Sequence, residues 1–164
     1  MRAKRTIEAA RQNLQTAHDR VATATRELEE LKAQTTAQKE KARLLGVYDR
    51  LLAADVLETL QAEVSAYDLI IAADVFVYIG KLDDIFAASH RALRPGGIFA
   101  FSVEADETTD HYRLRQSGRY GHAAGYLRDL ATRHGFRESS MREVVLRKEA
   151  GVPMHGYLFV FTRP

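Results

Sequence analysis

No glycine occurs before Gly46 and no proline before Pro95. These two residues interrupt helices, glycine through backbone freedom and proline through its missing N–H. The opening stretch is instead rich in Ala, Glu, Gln, Arg and Lys, all tolerant of helix. Its apolar positions are periodic: Ile7, Leu14, Val21 and Leu28 fall seven apart, with Ala10, Ala17, Ala24 and Leu31 three after each. That is a heptad with large residues at one seam position and mostly alanine at the other. A continuous helix to residue 44 would be roughly 65 Å long at about 1.5 Å per residue, more than a domain of this size spans. The expectation is a segment 1–45 that forms a homo-oligomer through Ile7, Leu14, Val21 and Leu28. The segment carries 10 Lys/Arg against 6 Asp/Glu, while the remainder carries 14 against 16. This basic excess reads as a solvated helix face, and a net charge of +2 calls for neither nucleic acid nor a membrane surface.

From Gly46 the period changes, and residues 46–164 read as one α/β domain. Residues 51–56 suit a short buried strand and 57–66 a helix. The run 67–74, apolar until its final acid, predicts a strand covered on both faces. Residues 81–93 are spaced for a helix, which Arg94-Pro95-Gly96-Gly97 stops before a strand over 98–103. The polar stretch 104–121 reads as a solvated loop. A helix over 123–134, closed by Gly135, precedes two alternating strands at 141–147 and 156–162. Strands interleaved with helices and ending in a hairpin predict about five strands, mostly parallel, with an antiparallel C-terminal hairpin.

These elements carry a family resemblance. Tyr67-Asp68-Leu69-Ile70-Ile71-Ala72-Ala73-Asp74 with Val75-Phe76-Val77-Tyr78-Ile79-Gly80 resembles the fourth strand, and the loop after it, of class I S-adenosylmethionine-dependent methyltransferases. Leu93-Arg94-Pro95-Gly96-Gly97 resembles the turn into that family's fifth strand, and Ala54-Asp55-Val56 its acidic motif after the third. Gly121-His122, Tyr126-Leu127 and Gly135-Phe136 are similar to the helix before the closing hairpin in the small-molecule branch. The resemblance covers about residues 39–164 and implies a partial Rossmann-like methyltransferase sheet preceded by a long, coiled-coil-like helix.

It also implies roles, with S-adenosylmethionine as cofactor. Asp55 would accept a hydrogen bond from the adenine amino group, with Val56 an apolar contact. Asp74, Val75 and Phe76 would line the methionine end of the cofactor. Tyr78, Glu104 and His122 would face the acceptor pocket, near the carboxyl ends of strands, where open α/β sheets place ligands. Simpler readings stand beside these: Asp55 and Asp74 as helix caps, Phe76 and Tyr78 as packing aromatics, Glu104 with Asp106 and Glu107 as a solvated loop, and His122 in a structural or exposed role.

The family's glycine-rich cofactor turn has no counterpart, since no glycine precedes Gly46. A chain lacking that turn should hold the cofactor weakly by itself, and the strand at 67–74 would lose its usual neighbour and become an apolar edge. Two functions therefore remain open. One is a small-molecule methyltransferase whose cofactor loop comes from elsewhere, such as a partner chain; the other is a remnant of that fold serving assembly through the heptads. The six histidines are scattered without metal-ligand spacing, and there is no cysteine. No apolar run approaches the roughly 20 residues of a membrane span, and the expected location is cytoplasmic.

Overall fold

The computed structural model describes Glu40, Gly46 and residues 48–149 and 151–164. The heptad positions Ile7, Leu14, Val21 and Leu28 lie outside the described residues. The chain divides into two units, Met1–Ala53 and Ala54–Pro164. In the first, residues 48–53 are irregular, and Leu52 is exposed. The strand expected at 51–56 is therefore not formed. Asp55 instead turns the chain into a helix, its carboxylate accepting from the N–H groups of Leu57 (2.8 Å) and Glu58 (3.0 Å). This N-cap satisfies two amides that an extended chain would have had to pair elsewhere.

The second unit runs α1 (Val56–Gln61), β1 (Tyr67–Ala72), a 3₁₀ turn (Phe76–Tyr78), α2 (Asp83–Ala92) and β2 (Leu93–Ala105). Then follow β3 (Tyr112–Leu114), β4 (Tyr120–His122), α3 (Ala124–Arg133), β5 (Arg137–Glu149) and β6 (Val152–Thr162). The described strands form one six-stranded sheet in the order β3-β4-β2-β6-β5, with β1 also paired to β2. Two pairings are parallel, β1–β2 and β2–β4. Three are antiparallel: β2–β6, β3–β4 and β5–β6. The mostly parallel sheet of the sequence reading thus becomes a mixed one, because the stretch 104–121 is no loop. Its Tyr112–Leu114 and Tyr120–His122 form a hairpin that adds to the carboxyl end of β2.

Helices cover one face of this sheet. On α2, Ile85, Phe86, Ala88, Ser89 and Ala92 are buried; on α3, Ala124, Tyr126, Leu127, Leu130 and Ala131 are. Both sets follow the three-and-four spacing of one helix face. They meet Phe99, Phe101, Val103, Tyr157, Phe159 and Phe161 of β2 and β6. Phe86 sits edge-on to Phe99 at 5.4 Å and to Phe101 at 5.7 Å between ring centroids, the geometry that aromatic quadrupoles favour. Gly135, at φ +76°, ends α3, and the Phe136 N–H returns to the Ala131 carbonyl.

The opposite face is different. Leu69 and Ile71 of β1 are 50% and 65% exposed, while their neighbours Ile70 and Ala72 turn toward the core. Burial of β1 on both faces is therefore not observed, since α2 and α3 both lie on the side of Ile70 and Ala72. The strand stops at Ala72 because Asp74 adopts φ +56°, a left-handed conformation that cannot continue a ladder.

Candidate functional site

The carboxyl ends of β1, β2 and β4 gather a cluster of charged side chains. Glu104, at the end of β2, is fully buried yet carries a carboxylate. One oxygen accepts from Arg115 Nη1 at 3.0 Å and the other from Arg147 Nη2. Two residues on, buried Asp106 accepts from Thr108 and, through its second oxygen, from Arg113 Nε (3.1 Å) and Nη2 (2.9 Å). Glu104 lies in β2 with Asp106 just past its end, and Arg113 lies in β3 with Arg115 just past its end. Between these strands lies β4, where Gly121 stands opposite both Glu104 and Arg113. A Cβ at Gly121 would sit 2.7 Å from Asp106 Cβ and 2.8 Å from Arg115 Nε. Only glycine leaves room for the acids and arginines to meet across it.

Burial opposes ionisation of Asp106, but the Thr108 hydrogen bonds and the Arg113 guanidinium outweigh it and hold its pKa down at about 2. His122 is buried and its pKa is lowered by that burial, against hydrogen bonds to the Gly80 and Ile79 carbonyls and the nearby Glu104 charge. Nε2 lies 3.1 Å from each of those carbonyls and so carries the proton, which leaves Nδ1 a buried acceptor with no partner among the described residues. The ring stacks with Tyr126 and neighbours Tyr112, whose own ring packs edge-on to Tyr120. Tyr157, pushed up to about 12 by burial and by Glu107, donates its hydroxyl to the Glu107 carboxylate. A cavity of about 640 Å³ opens between the end of β2 and the β3–β4 hairpin, with Asp106, Glu107, Arg113 and Arg115 in its wall.

The far half of β5 reaches over this edge. Its pairing with β6 slips between Val145 and Arg147, a bulge that re-aims the side chains beyond it. Arg147 then places Nη1 3.2 Å from Asp74 Oδ1 and Nη2 on Glu104, so one guanidinium joins the ends of β1 and β2. Glu149 accepts from Arg119 at 2.8 Å, and that guanidinium lies 6.0 Å from the Tyr78 ring centroid.

Asp74 and Glu104 are thus brought together through Arg147, while Tyr78 is exposed and lies against Arg119. Phe76 is not part of this edge: it is 1% exposed and packs on Phe99 and Phe101 at 6.0 and 5.2 Å, where Val75 also leans on the core. His122 is likewise sealed inside rather than facing an open pocket. Asp55 caps α1, and no hydrogen bond or ion pair among the described residues links Asp55 or Val56 to the Asp74–Glu104 group. Arg113, Arg115 and Arg147 escape the sequence reading, which takes Asp106 only as part of a solvated loop. The paired two-residue spacings of 104/106 and 113/115 were the available sign, but the Arg147 contacts span 43 and 73 positions and had none.

A family model described as a methyltransferase domain matches residues 12–101. It begins well before residue 39 and so takes in much of the segment read as a heptad helix. Among solved structures, the chain is similar to the [4+2]-cyclase SpnF, with TM-score 0.64 and 16% identity over 80% of this chain and 64% of that one. It is also similar to the 1,6-didemethyltoxoflavin-N1-methyltransferase of Burkholderia thailandensis, with TM-score 0.59 and 20% identity over 76% and 56%. A third is the N-methyltransferase NodS of Bradyrhizobium japonicum, with TM-score 0.51 and 23% identity over 69% and 53%. At these identities the likeness shows the fold, and the chain spans between 53% and 64% of those three proteins' lengths. No curated protein sequence matches it. Since the family model spans more than half of the 164 residues, the chain belongs to the methyltransferase-domain family.

Proposed function

We propose that this chain is a methyltransferase-related domain that uses S-adenosylmethionine to methylate a small-molecule acceptor, once the glycine-rich cofactor turn is supplied from elsewhere. The observation that carries this reading is the position of Asp74: a half-exposed carboxylate just past β1, at the edge where α/β sheets of this kind bind ligands. The structures of the Burkholderia and Bradyrhizobium methyltransferases both hold S-adenosylhomocysteine. The donor set here fits such a ligand in part. Asp74 and Asp55 each engage one carboxylate oxygen and leave the other open, which suits the ammonium and adenine amino groups respectively. Phe76 does not fit, being in the core. The cofactor, when bound, supplies an electrophilic methyl group; the chain's own residues hold and orient, which suffices where proximity dominates.

Calorimetric titration of the full chain with S-adenosylmethionine tests this. Weak but saturable binding by the chain alone, weakened at least fivefold further by Asp74→Asn, is expected. No saturation at millimolar cofactor would overturn it in favour of the second reading, an assembly scaffold. That alternative draws on the heptads and on the exposed apolar face of Leu69, Ile71 and Ile98. Self-association through Ile7, Leu14, Val21 and Leu28 belongs to both readings. The likeness to a [4+2]-cyclase is a reminder that one fold hosts unrelated reactions.

A further inference from the structure

The cavity between the end of β2 and the β3–β4 hairpin has four charged residues in its wall, Asp106, Glu107, Arg113 and Arg115. Their contacts divide them into two kinds. Asp106 is saturated: one oxygen accepts from the Thr108 N–H and hydroxyl, the other from Arg113 Nε and Nη2, and its side chain is 2% exposed. Arg115 is committed in the same way, with Nη1 on buried Glu104, Nη2 on the Ala105 carbonyl and Nε 3.6 Å from Asp106. Neither has a hydrogen-bonding edge left for a ligand. The other two do. Arg113 uses only Nε and Nη2 toward Asp106, its side chain is 56% exposed, and Nη1 has no partner among the described residues. Glu107 holds the Tyr157 hydroxyl and the Ala124 N–H on Oε1, while Oε2 has no partner among the described residues.

One cavity thus presents one open guanidinium edge and one open carboxylate oxygen. Its volume of about 640 Å³ is that of a metabolite site. The planar guanidinium matches a carboxylate, and the carboxylate oxygen matches an ammonium. A ligand with a single charge would leave one of the two unanswered, in a wall whose two acids and two arginines balance. Resting on the methyltransferase reading above, under which an amine is a methyl acceptor, we propose that this cavity binds an amino-acid-like zwitterion. Its carboxylate lies on Arg113 and its amino group on Glu107. Gln116 and Ser117 add neutral hydrogen-bonding groups along the rim, in a turn closed by the Arg115 N–H on the Arg119 carbonyl at 2.8 Å.

Saturation-transfer NMR of the full chain with β-alanine, γ-aminobutyrate, acetate and methylammonium tests this. At least one of the two amino acids should bind saturably and about fivefold tighter than acetate or methylammonium, the scale of one added, partly exposed ion pair. Arg113→Met and Glu107→Gln should each lower that amino acid to the level of the single-charge probe whose partner remains. The wild-type comparison depends on no variant folding, and an amino acid that binds no tighter than acetate overturns the proposal. Displacement of the amino acid by saturating S-adenosylhomocysteine also overturns it, because the probe would then occupy the place of the cofactor's own amino-acid end. Continued binding beside S-adenosylhomocysteine is the expected result. If S-adenosylhomocysteine itself does not bind while the charge dependence holds, the cofactor reading falls and the zwitterion site stands.

Discussion

Asp106 shows how one residue can tie stability to pH. Its carboxyl has a pKa of about 2, below the ordinary 3.8, because Thr108 and Arg113 stabilise the anion more than burial penalises it. The folded state therefore binds this proton less readily than the unfolded chain does. The stabilisation is complete above the ordinary value and is lost as pH falls from about 4 to 2; it amounts to about 2 kcal/mol. Urea denaturation across this window should show the loss in the wild type, and Asp106→Asn should abolish that part of the pH dependence. An unchanged profile in the variant would refute the assignment. His122 adds a separate step: burial lowers its pKa below 6.5, so acidification below that value favours the unfolded chain, which takes up the proton. Neither effect was legible from local sequence, because a carboxylate amid polar neighbours looks solvated until the strand that buries it is known.

Among the elements, the β5–β6 hairpin is the one whose geometry shapes the site. Alternation at 141–147 and 156–162 predicted both strands, and the pairing extends them to Arg137–Glu149 and Val152–Thr162. The bulge was not legible, since a one-residue slip depends on what lies across the strand. Gly156 is the counterpart of that slip, with no room for a Cβ between the Val103 carbonyl and Leu146. Gly156→Ala should destabilise the protein by about 2 kcal/mol through overpacking, readable as a lower denaturation midpoint. Gly96→Ala is its contrast: a Cβ there meets nothing within 4 Å, so the cost reflects only the φ of +81°. The aromatic layer gives the largest single effect expected. Truncating fully buried Phe86→Ala should cost about 3–5 kcal/mol, checked by the same denaturation series.

At the scale of the whole molecule, the described sheet has one covered face and one that exposes Leu69, Ile71 and Ile98. Among the described residues β1 pairs only with β2. Neither α2 nor α3 crosses to the exposed face, and no described helix is long and apolar enough to span a membrane. The heptad seam predicts self-association, because four consecutive repeats of Ile7, Leu14, Val21 and Leu28 would otherwise expose a continuous apolar stripe. Sedimentation of the full chain should give a dimer or larger species, and Leu14→Glu/Val21→Glu should shift it to monomer. A monomer at high concentration in the wild type would refute the seam.

Local chemistry was enough for the sequence to determine the order of most elements. Helix periodicity placed α2 and α3, the Gly135 stop ended α3, and alternation placed the final hairpin; each rests on residues within a turn or two of one another. The family, too, was legible from the run 67–80 and the turn at 94–97. What only tertiary structure decided was everything that depends on partners distant in the chain. The expected strand at 51–56 gave way to the Asp55 cap, the supposed loop at 104–121 became two strands, and Phe76 and His122 went to the interior. Arg147 reached Glu104 across 43 positions and Asp74 across 73. The reason is physical: whether a charged residue is solvated or buried depends on the compensating charge brought to it, and that charge comes from another strand.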